Sequence, residues 1–371
     1  MSRLEELIQQ YCPNGVEYKP LKDILRIRNG RDYKHLEKGL IPVYGSGGIM
    51  TYVDTPMYSK PSVLIPRKGS IDKLYYVDTP FWNVDTVFYT EIDTSKVVEK
   101  YVYYVLQKEH LEKLNTAGGV PSLTQGVLNE VLIPVPPLPV QEEIVRILDN
   151  FAELQAELQA ELQKRLQQYE YYRDKLLSFS DLSNWGGQEV SVEWKKLGDV
   201  CNVFTGGEVP DKSIKGNEPQ GDMIYPIWGN GKDVYGFAST YQIDQDAVCV
   251  SSIGANTGAI FFHKAFFTPI IRLKVLIPKD DTLSARYLFH ALSVIGFDVK
   301  KSSVPNMNAN EVKQKSIPVP PLEEQERIVS ILDRFDALTT DITAGLPAEI
   351  EARRKQYEYY RDQLLTFKQK A

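Results

Sequence analysis

The sequence predicts an α+β fold in which two mixed α/β domains are each followed by a long helical region. Three observations lead to this prediction: an internal repeat, runs of β-branched and aromatic residues bounded by Gly and Pro, and a long stripe of apolar residues at spacings of three and four. With 371 residues, the chain also exceeds one typical domain, and each half is long enough to bury its own core.

The internal repeat is clearest in two blocks with helical spacing. IPVPPLPVQEEIVRILDNF at 133–151 recurs as IPVPPLEEQERIVSILDRF at 317–335, an offset of 184 residues. QYEYYRDKLLSF at 168–179 recurs as QYEYYRDQLLTF at 356–367, an offset of 188 residues. Fainter matches in the same order pair VEYKPLKD at 16 with VEWKKLGD at 192, and IPVYGSGG at 41 with YPIWGNGK at 225. The repeating unit is therefore one diverged domain followed by one well-preserved helix.

Residues 1–138 and 181–316 are predicted to form the two globular domains. The runs SVLIP, KLYYV, AVCVSSI and AIFFHKAFF are typical of strands, because they are rich in β-branched and aromatic residues. VEKYVYYVLQKEHLEKL and SARYLFHALSVI have the spacing of amphipathic helices. Both domains are therefore expected to mix helices with strands.

Residues 139–180 and 317–371 are predicted to be helical. The apolar stripe from Ile144 to Phe179 predicts one helix of about 40 residues, on the order of 60 Å long. Such a helix needs a partner, and its own repeat is the obvious candidate. The second copy carries Gly345 and Pro347, which suit a helix end and the first turn of the next helix. We therefore expect a break there.

A tandem tetrapeptide interrupts the heptad spacing of the central helix. AELQ occurs three times in succession from Ala152 to Gln163. Leucines that recur every four residues drift away from a heptad seam and locally unwind a supercoil. Each added tetrapeptide would lengthen the helix by about 6 Å.

Composition and charge exclude several classes of protein. The chain has no run of about 20 apolar residues that could cross a bilayer and no apolar leader, which favours a cytoplasmic protein without a membrane partner. Its three Cys and four His are scattered, which argues against disulfides and a metal site. The net charge of −6 resides in the helical segments, and the two globular segments are close to neutral.

The residues also bear on two other functional classes, an enzyme and an interaction scaffold. An enzyme is poorly supported, because the chain has no GxGxxG and no NPPY-like methyltransferase loop, and the ExK triplets that begin at Glu17 and Glu193 have no suitably placed upstream aspartate. A coiled-coil interaction scaffold with protein-binding domains stays open, because neither globular segment is strongly basic. We therefore expect no catalytic, cofactor-binding or metal-binding residues in this chain.

The paired IPVPPL, QEEIVRILD and QYEYYRDKLL blocks resemble those of specificity subunits of type I restriction-modification systems. The resemblance covers the whole layout. It implies two target recognition domains that each read one half of a bipartite, asymmetric site on double-stranded DNA. It also implies an antiparallel coiled coil that sets the spacing between the half-sites, and no catalysis by this subunit. The tandem AELQ resembles the tetrapeptide repeats whose number changes this spacing in the family. The implied partners are methyltransferase subunits and endonuclease-translocase subunits. The full complex in this family uses S-adenosylmethionine, ATP and Mg, none bound by the specificity subunit.

Two kinds of side chain are the candidate DNA contacts. Cations would contact phosphates, and arginines also guanine, although a solvated surface charge is the commoner role for any single one of them. The cations are Arg28, Arg31, Lys34, Arg67, Lys68, Lys73 and Lys232, together with Lys300 and Lys301. Aromatic and uncharged polar groups at aligned glycine turns and loops would suit base edges, or be ordinary turn residues. These are Tyr44, Ser46, Trp228, Asn230, Ser252, Asn256, Thr257, Asn306 and Asn308.

The tyrosine clusters at 169–172 and 357–360 are identical in the two copies. They lie on predicted helices at spacings of three and four, which favours packing against a core or partner over base stacking. A cluster that is the same in both copies could not distinguish two different half-sites.

Overall fold

The computed structural model describes residues 2–115, 121–179, 191–298, 305–340 and 344–370. The predicted DNA contacts Lys300 and Lys301 lie outside these ranges. The chain divides into two compact units: unit 1 comprises residues 1–159 and 349–371, and unit 2 comprises residues 160–348. Each unit therefore combines a globular segment from one copy of the repeat with helical segments from both copies.

The first copy contains nine strands and four α-helices among its described residues. In chain order they are α1 (Arg3–Tyr11), β1 (Tyr18–Pro20), β2 (Leu25–Asn29), β3 (Lys38–Gly45), β4 (Gly48–Val53), β5 (Ser62–Pro66), β6 (Tyr75–Val77), β7 (Trp82–Asn83), β8 (Val87–Ile92), α2 (Glu99–Lys108), α3 (Gln125–Asn129), β9 (Leu132–Pro134) and α4 (Leu138–Ser178). We call the part from α1 to β9 head 1.

The second copy has the same order of elements over most of its length. Its elements are β10 (Glu193–Lys196), α5 (Leu197–Val200), β11 (Cys201–Thr205), β12 (Ser213–Lys215), β13 (Tyr225–Trp228), β14 (Gly236–Ala238), β15 (Ala247–Val250), β16 (Ile260–His263), β17 (Thr268–Pro269), β18 (Lys274–Pro278), α6 (Ala285–Ile295), α7 (Ala309–Gln314), β19 (Ser316–Val319), α8 (Leu322–Thr340) and α9 (Leu346–Leu364). We call the part from β10 to β19 head 2.

Two sheets of each head correspond strand by strand, whereas the third has the order β4-β3-β7 in head 1 and β12-β14-β13-β17 in head 2. Head 1 has a four-stranded sheet in the order β2-β8-β5-β6, and head 2 has one in the order β11-β18-β15-β16. The pair β1-β9 likewise corresponds to β10-β19. The prediction of two mixed α/β domains related by an internal repeat is confirmed.

Helices α2 and α6 pack on these sheets through equivalent tyrosines. Tyr101 and Tyr287 are fully buried, and their hydroxyls donate to the carbonyls of Pro134 and Pro318 at 3.0 and 2.8 Å. A buried phenol costs free energy unless it is hydrogen-bonded, so these bonds let a large side chain fill each core.

A buried glutamine joins each head to the long helix that follows it. The side chain of Gln141 accepts from the Val98 N–H and donates to the Pro136 carbonyl, at 2.8 and 2.7 Å. Gln325 accepts from the Ser284 N–H and donates to the Pro320 carbonyl, at 2.9 and 2.8 Å. These bonds satisfy buried backbone groups at the start of each helix.

About two turns further along, an aspartate joins each long helix to the helix of its head. Asp149 of α4 accepts from Lys100 and from the Tyr104 hydroxyl of α2, at 2.8 and 2.5 Å. Asp333 of α8 accepts from Arg286 at 2.8 Å and contacts His290 at the same distance. Each head is therefore attached to its helix through two turns of polar contacts.

In each unit, α4 runs antiparallel to a helix of the second copy. In unit 1 the start of α4 and the end of α9 both lie beside the strand region of Tyr18, whose hydroxyl donates to the Phe367 carbonyl. In unit 2 the end of α4 shares a core with the beginning of α8, because Leu176, Leu177 and Ile328 are buried in one cluster. The predicted helix of about 40 residues spans 41 residues, and the predicted break is present between α8 and α9.

The tyrosine clusters are only partly used in packing. Tyr172 stacks on Phe335 in unit 2, and Tyr360 stacks on Phe151 in unit 1. Tyr171 and Tyr359 are exposed, at 60% and 61%. Packing therefore explains part of each cluster and leaves one equivalent tyrosine per copy on the surface.

Among the described residues, no helix combines the length and the apolar character that are needed to cross a bilayer.

Candidate nucleic-acid interface

In head 1, strands β2, β5 and β8 bring the predicted DNA contact Arg67 next to Asn29 and Phe88 at one end of the sheet. Arg67 follows β5 directly, Asn29 ends β2, and Phe88 lies near the start of β8. The Arg67 guanidinium lies 5.0 Å from the centroid of the Phe88 ring, and its Nη1 donates to the Asn29 Oδ1 at 3.5 Å. Its backbone is held by the Thr86 carbonyl and the Leu123 N–H, both at 2.9 Å. Arg67 is therefore positioned by strands rather than by a free loop.

The glycine turn that carries Ser46 lies beside the Arg67 loop. A Cβ added to Gly69 would come within 3.3 Å of the Ser46 Oγ, and Gly69 has a φ of +79°, a conformation that L side chains rarely adopt. The Tyr75 hydroxyl donates to the Ser46 carbonyl at 3.0 Å. The Tyr44 ring packs against Tyr75 and Phe81. Ser46 thus belongs to the candidate site, whereas the ring of Tyr44 contributes to the core.

The remaining predicted cations of head 1 are exposed. Arg28 pairs with Glu91 at 3.0 Å, so its charge is largely compensated. The others have no ion pair within the described ranges: Arg31, Lys34, Lys68 and Lys73. Lys68 forms an isolated β-bridge with Ser122, which places its backbone next to the loop before α3. These cations are free to contact DNA phosphates.

In head 2, the predicted polar residues meet around Asn230. Its Oδ1 accepts from the Ser252 N–H at 2.8 Å and from the Ser251 hydroxyl at 3.2 Å. Its Nδ2 donates to the Ile271 carbonyl, and its own carbonyl accepts from Asn256 Nδ2 at 3.2 Å. Residues far apart in sequence, predicted one by one, therefore form one polar surface.

Several of these polar side chains also form hydrogen bonds that stabilise the fold. Ser252 is buried, and its hydroxyl donates to the Arg272 carbonyl at 2.6 Å. The Thr257 hydroxyl donates to the Gly254 carbonyl at 2.7 Å, and Asn308 caps α7 by accepting from the Glu311 N–H at 2.9 Å. Asn306 is exposed next to this loop, through its β-bridge with Ile253.

Trp228 and Lys232 lie on the other side of the same glycine turn. The Trp228 ring stacks on His263, with centroids 4.2 Å apart and an interplanar angle of 14°. His263 is buried, and burial lowers its pKa to about 4, which keeps the imidazole neutral near pH 7. Lys232 is exposed and has no ion pair within the described ranges.

Sequence reasoning missed two cations in head 2. Arg272 is exposed and has a φ of +60°, directly after Ile271 with a φ of +52°. Two consecutive non-glycine residues in the left-handed region cost free energy that the surrounding structure must supply, as is often seen at binding sites. Lys274 is only 6% exposed, and its Nζ donates to the Thr205 hydroxyl at 3.2 Å. Burial and the charge of Arg272 lower the pKa of Lys274.

A signal for Lys274 was present in the repeat. When FWNVDTVF at 81–88 is aligned with FTPIIRLK at 267–274, Lys274 falls opposite Phe88. Because the other copy buries an aromatic residue at this position, a lysine here indicates a cation in a buried environment. Arg272 had no comparable signal, because its backbone conformation depends on contacts with Gly206 and Gly207.

The described residues contain no group of three or more His, Cys, Asp or Glu that could hold a metal ion.

A sequence model of the family described as type I restriction modification DNA specificity domain matches residues 13–168 and again residues 189–352. The chain belongs to this family. The repeated match coincides with the two copies found in the sequence, and the family is the specificity component, a non-catalytic part of type I restriction-modification complexes. The specificity subunit described here therefore determines which DNA sequence such a complex recognises.

Known specificity subunits are similar over most of the chain. A type I restriction enzyme specificity subunit from Escherichia coli is 36% identical over 308 residues, which cover 75% of this chain and 73% of that subunit. A putative one from Haemophilus influenzae is 30% identical and covers 98% of both chains. The crystal structure of a specificity subunit from M. genitalium has a TM-score of 0.65 at 18% identity, and the match covers 95% of this chain and 96% of that one.

Proposed function

We propose that the two heads of this specificity subunit each read one half of a split site on double-stranded DNA. In this proposal residues 1–138 and 181–316 are the target recognition domains, and residues 139–180 and 317–371 set the spacing between half-sites. The observation that carries the proposal is the contrast between the copies: the helical blocks are nearly identical, whereas the residues at the equivalent sheet edges differ. Divergent readers on a constant support suit two different targets.

The candidate contacts fall into two groups according to their chemistry. The uncompensated surface cations of head 1 and Lys232 of head 2 are proposed to contact phosphates, which position a protein without reading sequence. The polar surface around Asn230, together with Ser46 and Arg272, is proposed to face base edges, where amide, hydroxyl and guanidinium groups discriminate between base pairs.

The helical regions are proposed to carry the other subunits of the complex. Methyltransferase subunits would dock on the helices, and endonuclease-translocase subunits would join them in the cytoplasm. S-adenosylmethionine, ATP and Mg would be bound by those subunits. The identical exposed residues Tyr171 and Tyr359, one per copy, fit two equivalent docking places for the same partner.

Genome-wide mapping of methylated bases tests the proposal. Cells that contain the methyltransferase subunits are compared with and without this chain. The expected result is methylation at one bipartite motif, present only when the chain is expressed. A gel-shift selection from random duplexes provides the binding counterpart. Enrichment of no split motif by the assembled complex would contradict the proposal and favour a scaffold with protein-binding heads.

A further inference from the structure

The equivalent sheet edges of the two heads each hold a cation without a carboxylate partner. The strand registers establish which positions correspond. Phe88 of β8 lies opposite Asn29 of β2 and Ile65 of β5. Lys274 of β18 lies opposite Thr205 of β11 and Val250 of β15 in the same way. Lys274 therefore occupies the place of Phe88.

A second pair of positions corresponds as well, two residues after the partners of Phe88 and Lys274 on β5 and β15. Arg67 stands two residues after Ile65, and Ser252 stands two residues after Val250. The Arg67 carbonyl accepts from the Leu123 N–H, and the Ser252 carbonyl accepts from the Met307 N–H, both at 2.9 Å. Two residues further along, Gly69 and Gly254 have φ values of +79° and +82°. Ser252 therefore occupies the place of Arg67.

The two heads thus exchange the source of one positive charge. Head 1 has arginine on the β5 side and phenylalanine on β8, so the Arg67 guanidinium covers the Phe88 ring. Head 2 has serine on the β15 side and lysine on β18. The charge remains at the same sheet edge, although it comes from a different strand and has a different shape.

Neither cation is compensated within the described ranges. Arg67 makes one side-chain hydrogen bond, to Asn29 at 3.5 Å, and its Nε is buried with no partner. Lys274 makes one, to Thr205 at 3.2 Å. Lys274 is buried, whereas Arg67 is partly exposed and has only its Nε buried. A buried charged group without a counter-ion is destabilising, so an anion bound at these positions would be stabilising, above all beside Lys274. Asn29 and Thr205 are exposed, so the one side-chain hydrogen bond of each cation is made to a residue at the surface.

We propose that Arg67 and Lys274 are equivalent phosphate-contacting residues, one in each head, that position the sheet edge on the DNA backbone without reading bases. The inference rests on the proposed function of the heads as DNA readers. Reading guanine requires the planar, two-pronged guanidinium, and a lysine in its place would not preserve it. A phosphate requires only a positive charge. Because the positive charge is kept in both heads and the planar guanidinium is not, a phosphate contact is favoured over a guanine contact.

The test uses the full chain assembled with its methyltransferase subunits and measures DNA affinity at several salt concentrations. Lys274→Met keeps the length of the side chain and removes its charge. We expect the slope of log affinity against log salt to become shallower by about one unit. Affinity should fall on the order of tenfold at about 0.1 M salt, while the methylated motif stays the same. Lys264→Met is the matched control, because Lys264 is already paired with Asp246 at 2.9 Å.

A transplant between the heads gives a second, independent readout. Arg67→Ser in head 1 should lower the salt slope as Lys274→Met does, and Arg67→Ser combined with Phe88→Lys should restore it with the motif unchanged. An unchanged slope in the single variants, or a changed half-site in any of them, would overturn the inference. Loss of the split motif in the unaltered complex would instead overturn the proposed function, so the two failures can be distinguished.

Discussion

The ring of Phe151 stacks on the ring of Tyr360, with centroids 5.4 Å apart and an interplanar angle of 23°. In the other unit, Tyr172 and Phe335 form the equivalent stack at 5.7 Å and 26°. Phe151 and Phe335 correspond in the repeat, as do Tyr172 and Tyr360. Each stack therefore joins the phenylalanine of one copy to the tyrosine of the other, so each unit needs helices from both copies.

Because these stacks bring two copies together, their energies should be measurable as coupling. A double-mutant cycle with Phe151→Ala and Tyr360→Ala should give a coupling energy of about 0.5–1.5 kcal/mol in denaturant unfolding. Tyr172 and Phe335 should give a similar value. Phe151 with the exposed Tyr171 is the control pair, and we expect it to be additive. Additivity at both stacks would contradict the pairing.

The AELQ run predicts how spacing depends on helix length. Deletion of residues 156–159 removes one tetrapeptide and shortens α4 by about 6 Å. This corresponds to one to two base-pair steps of about 3.4 Å. Methylation mapping should show both half-site sequences retained and the gap between them reduced, and insertion of a further AELQ should increase it. Altered half-sites would show that the helix is more than a spacer.

Exchange of one head should alter one half of the motif. Replacement of residues 1–138 by the corresponding domain of another specificity subunit leaves the polar surface around Asn230 intact. The new motif should therefore combine a new half-site with the old one. Methylation mapping of the chimera and of the unaltered chain gives the comparison. A change in both halves would contradict independent heads.

Arg272 should affect stability and specificity in opposite directions. Arg272→Gly removes the unfavourable left-handed conformation and should raise the free energy of unfolding by about 1 kcal/mol. Loss of the guanidinium should relax the half-site of head 2 at one position, by about 1–3 kcal/mol of discrimination. Ile271→Gly is the matched control, because it relieves the same strain and should leave the motif unchanged. An unaltered motif in Arg272→Gly would remove Arg272 from the base contacts.

Acid should destabilise unit 2 through His263. Burial lowers the pKa of His263 from 6.5 to about 4, so the unfolded chain binds a proton that the folded chain excludes. The stabilisation is fully present above pH 6.5 and is lost as the pH falls towards 4, on the order of 3 kcal/mol in total. His263→Phe keeps a ring against Trp228 and should flatten this dependence in denaturant unfolding. If the free energy of unfolding fell as steeply with acid in that variant, the effect would belong to another group, such as His290. Burial lowers the pKa of His290 as well.

Asn230, Ser252 and Asn256 are separate polar residues in the sequence, and the structure joins them by hydrogen bonds. Thr257 is bonded instead to the Pro305 carbonyl, beside the predicted contact Asn306. Most of their hydrogen bonds to backbone carbonyls could not be predicted from the sequence, because the carbonyls of Asn230, Ile271 and Arg272 lie in turns that are distant along the chain from their donors. Arg272 and Lys274 were overlooked, since a cation within an apolar run is typical of an ordinary strand.

The internal repeat, a helix of about 40 residues, the break before Leu346 and the mixed α/β character of both heads are all predicted by the amino-acid sequence and present in the fold. These features depend on periodicity and on local backbone preferences, which a linear pattern records. Which cations lack a partner and which loops share a surface became apparent from the folded chain alone. The physical reason is that strand register determines which side chains are neighbours. The pairing of β8 with β5 and of β18 with β15 makes Lys274 the counterpart of Phe88. It thereby places a cation without a carboxylate partner at the same end of both sheets.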